Sequence, residues 1–244
     1  MTEPLPILYQ DDQYVAIHKP SGLLVHRTRL DRGARRFALQ MVRNQVGRHV
    51  FPVHRLDKGT SGVLLFGLSS EAAHALAEAF AAHHIEKTYL AVVRGHPPEA
   101  GTIDHPLTPM KDRLADAQDD KPAQEAVTHF ARLATTTLPV ALSRYPTSRY
   151  ALVRLRPVTG RRHQLRRHLN YLSHPIIGDG KHGDYRHNRY FRDHLGCPRL
   201  LLAATRVRFT HPFTDAPVEV HAPLDASFTE VLPTLGWASS LADA

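Results

Sequence analysis

The stretch that decides the fold reads His54-Arg55-Leu56-Asp57-Lys58-Gly59-Thr60-Ser61-Gly62 and runs directly into the apolar segment Val63–Phe66. The polar, glycine-punctuated part predicts a loop, and the apolar run predicts a buried strand. A carboxylate at this junction is well placed for catalysis, because the strand fixes the backbone while the loop exposes the side chain. Asp57 is therefore a candidate nucleophile. The alternative is an Asp in an ordinary polar turn, satisfied by the amides of Thr60 and Ser61.

Outward from this junction, β-rich segments alternate with a few helical patterns. The segments that predict strands are 14–17, 85–93, 127–133, 150–155, 200–209 and 217–221. Those that predict helices are 35–46, a segment capped by Ser69 or Ser70 that ends near 83, a basic segment that begins at 159–160, and 228–235. Residues 111–124 are charged and turn-like and are interpreted as a mobile insertion. The pattern predicts an α+β fold with a mixed, mostly antiparallel sheet flanked by helices and loops.

The basic segment reads Thr159-Gly160-Arg161-Arg162-His163-Gln164-Leu165-Arg166-Arg167-His168. Thr159 is a suitable N-cap, and Arg162 and Arg166 would then lie one helical turn apart on the same face. A helix start rich in arginine can bind phosphate, and a nearby arginine can hold a carboxylate in its ionised form. The alternative is a basic face exposed to solvent.

The segment Lys87-Thr88-Tyr89-Leu90-Ala91-Val92-Val93-Arg94-Gly95 predicts a strand that places Lys87 and Tyr89 on one face. An aromatic ring beside polar groups can stack on a nucleobase. The alternative is a tyrosine packed in a sheet, where this residue type is common.

The composition favours a polyanionic partner. Lys and Arg number 31 against 23 Asp and Glu, which gives a formal net charge of +8 at pH 7. A surplus of this size is typical of nucleic-acid binding, and the alternative is a basic surface that only aids solubility. Cys197 is the single cysteine, so an intrachain disulfide is excluded, a cytoplasmic location is expected and a packing role is the better interpretation. The sequence shows neither a signal peptide nor a membrane-spanning apolar run.

The 18 histidines raise the question of a metal site. Their spacing does not support one, because the chain has no His-Glu-x-x-His motif and no Cys/His ligand cluster. We therefore expect no metal. A metal-dependent hydrolase stays as an alternative, and it predicts bound metal and loss of activity in chelator.

In their order along the chain, the segments at 54–62, 87–95 and 159–168 resemble motifs of the RluA-type family of RNA pseudouridine synthases. The resemblance extends from Ile7 to about His221. The turn His174-Pro175-Ile176-Ile177-Gly178-Asp179 supports the resemblance. It implies the pseudouridine synthase fold in one catalytic domain over residues 1–244, without an accessory N-terminal RNA-binding domain. It also implies isomerisation of uridine without a cofactor.

The resemblance also assigns roles to residues. Asp57 would be the nucleophile, attacking either the base or C1′, and Arg166 would pair with it. Tyr89 would stack on the target uracil, Leu202 would form an apolar wall, and Arg55 would lie near the flipped nucleotide. From their charge and their place in the basic segment and the following turn, we also expect contacts to RNA from a further set: Arg27, Arg161, Arg162, His163 and Lys181.

Within the family, the chain is most similar to the members that modify uridine at position 65 of tRNA. Three segments support this: Lys19–Arg27, Arg144–Tyr150 and Gly180–Asp184. The chain departs from the family at Leu202-Ala203-Ala204, where Leu-His-Ala is usual. We expect a monomer that acts on tRNA. The alternatives are an rRNA pseudouridine synthase of the same family and a non-catalytic RNA-binding protein.

Overall fold

A computed structural model describes residues 3–27, 33, 35–110 and 122–237. The chain divides into two compact units, one formed by Met1–Tyr89 and Arg199–Val231 and the other by Leu90–Pro198 and Leu232–Ala244. Most of the expected insertion, residues 111–121, lies outside the described residues. The expectation of one catalytic domain over residues 1–244 stays a prediction.

The described residues form ten strands and five helices. In chain order these are β1 (Ile7–Gln10), β2 (Tyr14–Lys19), α1 (Ala38–Val46), β3 (Phe51–Pro52), β4 (Ser61–Gly67), α2 (Ser70–Ala81), β5 (Glu86–Arg94), β6 (Ala100–Asp104), β7 (Val127–Leu138), β8 (Ser148–Pro157), α3 (Gln164–Tyr171), α4 (Tyr185–His194), β9 (Leu202–Thr210), β10 (Pro217–His221) and α5 (Ala226–Thr229).

The first unit is built around β4. Strand β2 pairs with it in antiparallel fashion, and Lys19 lies opposite Gly62. Strand β9 pairs with the start of β4 in parallel fashion, and Ala203 lies opposite Ser61. The outer pairs β1–β2, β3–β4 and β9–β10 are all antiparallel. The expected mixed, mostly antiparallel sheet is confirmed, and the parallel pairing of β4 with β9 lies where the polar turn enters β4.

Every residue of β4 is buried, because both of its faces are covered. On one face, Leu64 and Phe66 pack in a cluster with Val42 of α1. On the other face, Val63 and Leu65 pack in a cluster that includes Leu76 of α2 and Val207 of β9. Burial on both faces explains why the sequence shows a continuous apolar run here rather than an alternating one. The predicted cap of α2 is confirmed, since the Ser69 side chain accepts a hydrogen bond from the Ala72 amide at 3.0 Å.

The second unit contains an antiparallel sheet and helices α3 and α4. Strand β7 pairs with β6 on one side and with β8 on the other. The fully buried Tyr150 of β8 packs edge-to-face against Phe191 of α4, with ring centroids 5.0 Å apart. Cys197 is buried, as expected for a packing residue, and its main-chain amide donates to the Phe191 carbonyl at 2.9 Å.

The prediction of a helix over residues 228–235 was wrong in position. Helix α5 begins at Ala226 because the Asp225 side chain caps it, accepting from the Phe228 amide at 3.0 Å. It ends at Thr229, and the following residues are turns. Pro233 has no amide hydrogen to donate, so a helix through this segment would be interrupted.

No helix in these described ranges combines the length and the apolar character needed to cross a membrane. Over the same ranges, no three His, Cys, Asp or Glu residues are grouped in a way that could hold a metal ion.

Candidate active site

Asp57 lies at the start of a tight turn that leads into β4. The turn is closed by the Thr60 amide, which donates to the main-chain carbonyl of Asp57 at 3.1 Å. Leu56 is 5% exposed and packs in the core below, whereas Asp57 is partly exposed. The neighbouring side chain is therefore anchored in the core while the carboxylate is presented at the surface of the unit. We call residues 57–62 the Asp57 turn.

Side chains and amides from the loop after β2 hold the Asp57 turn by its main chain. The Ser21 hydroxyl donates to the Gly59 carbonyl at 2.8 Å, and the Gly22 amide donates to the Lys58 carbonyl at 2.8 Å. The Lys58 carbonyl also accepts from the Lys19 ammonium at 3.2 Å. These bonds fix the backbone on the C-terminal side of Asp57 without engaging its carboxylate.

Lys19 is a fully buried lysine, an uncommon arrangement unless the ammonium is satisfied. Its other acceptors are the carbonyls of Pro20 at 2.9 Å and Leu23 at 2.8 Å. Burial lowers the pKa of Lys19 to about 7, and the charge of Arg199 adds to this effect while Asp57 opposes it. The charge of Asp57 therefore acts on this buried ammonium group.

Arg199 holds the other side of the Asp57 turn. It is 9% exposed and donates through Nη2 to the Ser61 hydroxyl at 2.9 Å and to the Leu202 carbonyl at 3.3 Å. Its Nη1 forms an ion pair with Asp225, and its Nε donates to the Leu200 carbonyl at 2.9 Å. One guanidinium therefore connects the end of the Asp57 turn with the start of β9.

Gly62 is required at the end of the turn by two independent features. Its φ of +111° is in a region that side chains rarely adopt, and an added Cβ would lie 2.0 Å from the Ala204 carbonyl oxygen. The close approach arises from the parallel pairing with β9.

His54, which precedes the Asp57 turn, connects this part of the chain to β4 by a hydrogen bond. Its Nε2 accepts a hydrogen bond from the Leu65 amide at 3.0 Å, and its ring stacks on Phe80 of α2 at 4.7 Å between centroids. Burial lowers the pKa of His54 to about 3, and nearby Lys87 lowers it further. The neutral imidazole can therefore accept this bond throughout the physiological pH range.

Tyr89, Arg55 and Leu202 belong to the same unit as Asp57. Burial raises the pKa of the Tyr89 phenol, and the charge of Asp57 raises it further, so the two side chains interact electrostatically and the phenol stays protonated. Tyr89 also packs on the cluster that contains Leu64. Arg55 is exposed, and Leu202 is 3% exposed at the start of β9. Ala203, at the position where the family usually has histidine, is buried and lies in register with Ser61.

A basic cavity of about 580 Å³ adjoins the Asp57 turn. Its lining includes Lys58, Arg35 and Arg36 together with the turn at Ser21 and Gly22. Three cations around one opening favour an anionic ligand such as a phosphate group. The predicted phosphate contact Arg27 is exposed, and it is not part of this lining.

Arg166 belongs to the second unit, where it forms a two-point ion pair with Asp179. Its Nε donates to Oδ2 and its Nη2 to Oδ1, both at 2.7 Å. The Asp179 side chain is fully buried, and the pKa of its carboxyl is held below the usual range: burial acts to raise it, but the bonds from Arg166 and from the amides of His182 and Lys181 outweigh that. Arg166 is thus held by its guanidinium, whereas Lys19 and Ser21 hold main-chain carbonyls of the Asp57 turn.

The predicted start of the basic helix was wrong. Helix α3 begins at Gln164, with His163 in the left-handed conformation at the cap position and no side-chain cap. Thr159 is engaged elsewhere: its hydroxyl accepts from the Val127 amide at 3.0 Å and donates to the Gln164 side chain at 2.7 Å. Arg162 precedes the helix, so it does not form a helical column with Arg166.

The other predicted RNA contacts in the second unit surround this helix start. Arg162 and Lys181 are exposed, and Arg161 is partly exposed, its Nε donating to the Glu125 carbonyl at 2.9 Å. His163 forms a ring-to-ring hydrogen bond with His182 at 3.0 Å.

The predicted residues therefore form two groups. Asp57, Tyr89, Arg55 and Leu202 lie in the first unit, and Arg166 lies with the basic residues in the second. Sequence reasoning assigned no role to the supporting residues Lys19, His54, Asp179 and Arg199. A Lys next to Pro20-Ser21-Gly22 gives no local sign that it is buried, and the partner of Arg199 at Ser61 is 138 residues away in sequence.

Comparisons with known proteins agree with this geometry. Residues 13–171 match the family described as RNA pseudouridylate synthase. The chain is 53% identical to a tRNA pseudouridine synthase C of Salmonella typhi, over 98% of this chain and 93% of the relative. It is 49% identical to one of Vibrio cholerae, over 97% and 98%.

Among solved structures, the chain is similar to human RNA pseudouridylate synthase domain containing 4. The TM-score is 0.70 at 27% identity, over 95% of this chain and 93% of that one. The TM-score to human RNA pseudouridylate synthase domain containing 1 is 0.69 at 26% identity, over 96% and 89%. The expected pseudouridine synthase fold is confirmed. With the family match, the full-length relatives and the anchored turn that carries Asp57, this chain belongs to the RNA pseudouridylate synthase family.

Proposed function

We propose that this chain isomerises uridine to pseudouridine in tRNA, with Asp57 as the nucleophile. The observation that carries the proposal is the hydrogen-bonded Asp57 turn, whose carboxylate lies in the same unit as Tyr89 and acts electrostatically on its phenol. Relatives about half identical over nearly their full length are named tRNA pseudouridine synthase C, which supports tRNA as the substrate. The family resemblance narrows the proposed target to position 65.

The reaction conserves atoms and electrons. The N1–C1′ bond breaks, the uracil rotates, C5 bonds to C1′, the C5 hydrogen leaves as a proton and N1 gains a proton. If Asp57 attacks C1′, it is displaced as C5 bonds to C1′; if it attacks the base, it is expelled after that bond has formed. Because no redox change takes place, the chemistry requires no redox cofactor.

Neighbouring residues supply binding and orientation in this proposal. Tyr89 stacks on the uracil, a contact that contributes about 1–3 kcal/mol for an exposed base. Leu202 forms an apolar wall, Arg55 lies near the flipped nucleotide, and Arg166 pairs with Asp57 and keeps it ionised. The assignments of Arg166 and Arg55 rest on the family resemblance.

A uridine in an RNA stem must be flipped out of the helix, at a cost of a few kcal/mol. Contacts to the RNA backbone offset this cost. We assign these contacts to the basic cavity beside Lys58 and to a set of basic residues on the second unit: Arg161, Arg162, His163 and Lys181. The monomeric state and the cytoplasmic location expected from the sequence stay predictions.

Tritium release from RNA labelled at C5 of uridine tests this proposal. We expect wild-type protein to release about one equivalent per tRNA, in the presence or absence of chelator, and none from a tRNA with cytidine at position 65. Release from the cytidine-65 tRNA would contradict the position. Release from rRNA alone would favour the rRNA enzyme, and no release from either RNA would favour the non-catalytic RNA-binding protein.

A further inference from the structure

The carboxylate of Asp179 is held more rigidly than a single ion pair requires. Besides the two bonds from Arg166, its Oδ1 accepts from the amides of Lys181 at 2.9 Å and His182 at 3.0 Å. Its main-chain carbonyl accepts from Asn188 Nδ2 at 2.9 Å. A carboxylate fixed by its own turn and by a helix side chain is a rigid template for the guanidinium fork.

A second contact connects the same turn to the start of α3. His163 Nδ1 and His182 Nε2 share one hydrogen at 3.0 Å, with the rings nearly perpendicular. One ring must donate while the other accepts. Burial lowers the pKa of His182, and the charges of Arg166, Lys181 and Arg167 act in the same direction while Asp179 opposes them. A neutral His182 ring keeps this bond available at pH 7.

His163 has a strained backbone that fits this contact. Its φ is +56°, a conformation that costs a non-glycine residue roughly 1 kcal/mol. Such outliers persist where the surrounding structure over-determines them. Here the left-handed residue directly precedes α3 and carries the ring that bonds to His182.

We propose that Asp179 is the positioning residue of Arg166, and that the His163–His182 bond holds the turn at residues 179–182 in place against the start of α3. The inference rests on the proposed function, in which Arg166 acts beside the nucleophile. Asp179 acts only through Arg166: it fixes the plane and direction of the guanidinium and does not touch the substrate. Small displacements of such a group can lower a rate about 100-fold.

Single-turnover pseudouridine formation, with protein in excess over bound tRNA, separates positioning from binding. We expect Asp179→Asn to lower the rate constant about 100-fold while Kd for tRNA stays within about threefold. The matched control is Asp184→Asn, which alters another Asp–Arg pair of the same unit, with Arg94 at 2.6 Å. We expect the control to keep the wild-type rate within about threefold.

A double-mutant cycle shows whether Asp179 acts through Arg166. If it does, Asp179→Asn lowers the rate of an Arg166→Lys protein by less than about threefold. The reason is that lysine has already lost the two-point contact that the guanidinium makes with Asp179. A purely structural defect would instead lower the amplitude, that is the fraction of active protein, at an unchanged rate constant.

His182→Phe gives a second measurement if Asp179→Asn does not fold. It keeps a ring but removes the bond to His163, and we expect a rate loss of about tenfold. Wild-type rate constants in either folded variant would overturn this inference while leaving the proposed function intact. A wild-type protein that forms no pseudouridine would instead overturn the proposed function.

Discussion

The two groups of candidate residues are anchored through different atoms. In the first unit, Lys19 and Ser21 bond to main-chain carbonyls of the Asp57 turn, and Arg199 bonds to the Ser61 hydroxyl. In the second unit, Arg166 is fixed through its side chain by Asp179. The bonds in the first unit hold the loop that carries the Asp57 carboxylate, whereas the bonds in the second unit hold the Arg166 guanidinium itself. Substitutions that remove the contacts of the first unit test this comparison in the order of their expected effects.

The largest expected effect comes from removing the buried guanidinium beside the Asp57 turn. Arg199→Met leaves Asp225 without its ion-pair partner and the Ser61 hydroxyl without its donor. We expect the free energy of unfolding to fall by about 3–5 kcal/mol, measured by urea denaturation. The control is Arg208→Met on the exposed side of β9, which we expect to cost less than about 1 kcal/mol. Equal losses in the two variants would contradict the anchoring role.

A somewhat smaller effect is expected where the turn enters β4. Gly62→Ala forces a Cβ to within 2.0 Å of the Ala204 carbonyl oxygen at a φ of +111°. We expect a loss of about 2–4 kcal/mol, measured by thermal and urea unfolding. Gly160→Ala is the control, because an added Cβ there meets no atom within 4 Å. A Gly62→Ala protein as stable as the control would show that the close approach is not maintained in solution.

The pH dependence of stability tests the anchor at His54. Its pKa is lowered from 6.5 to about 3 in the folded chain, so between those values the unfolded chain binds the extra proton. The contribution of the neutral His54 ring to the free energy of unfolding is therefore fully present above about pH 6.5, and it decreases as the pH is lowered. The loss is at most about 2 kcal/mol between pH 7 and pH 5.

We expect His54→Gln to remove this contribution to the pH dependence of the free energy of unfolding. The control for the loss of one histidine is His74→Gln, at an exposed position. An unchanged slope in His54→Gln would contradict the neutral, hydrogen-bonded ring.

The smallest effect is expected at the Tyr89 hydroxyl. The phenol is protonated and Tyr89 is proposed to stack, so Tyr89→Phe should change kcat/KM by less than about threefold. Tyr89→Leu removes the aromatic face, and we expect it to lower kcat/KM by about 5- to 100-fold. A loss in Tyr89→Phe as large as that in Tyr89→Leu would show that the hydroxyl, rather than the ring face, is used.

The sequence predicted the elements whose signal is local. The apolar run gave β4, the alternating segment gave β10 over Pro217–His221, and the serine cap gave α2. Helix α4 was missed because its sequence is mostly polar, with only His187 and Phe191 buried. The start of α3 was misplaced because the Thr159 hydroxyl bonds to a strand that is distant in sequence.

For the candidate site, the sequence indicated residues within recognisable motifs but not the residues that hold them in place. The roles of Asp57, Tyr89 and Leu202 stay predictions, and the structure places the three residues in one unit, where the charge of Asp57 acts on the Tyr89 phenol. The residues that hold the Asp57 turn were not predicted, because their roles depend on contacts between segments far apart in sequence. No local pattern indicates that Lys19 is buried, or that Arg199 reaches Ser61.

Single-turnover pseudouridine formation by Asp57→Asn, compared with wild type at saturating tRNA, tests the central claim most directly. Asparagine has nearly the same size and leaves the main-chain anchors of the turn in place, so folding and the tRNA Kd should be preserved. We predict that the rate constant falls by at least about 10⁴-fold. A folded, tRNA-binding Asp57→Asn protein that keeps its rate within about tenfold of wild type would contradict the assignment of Asp57 as the nucleophile.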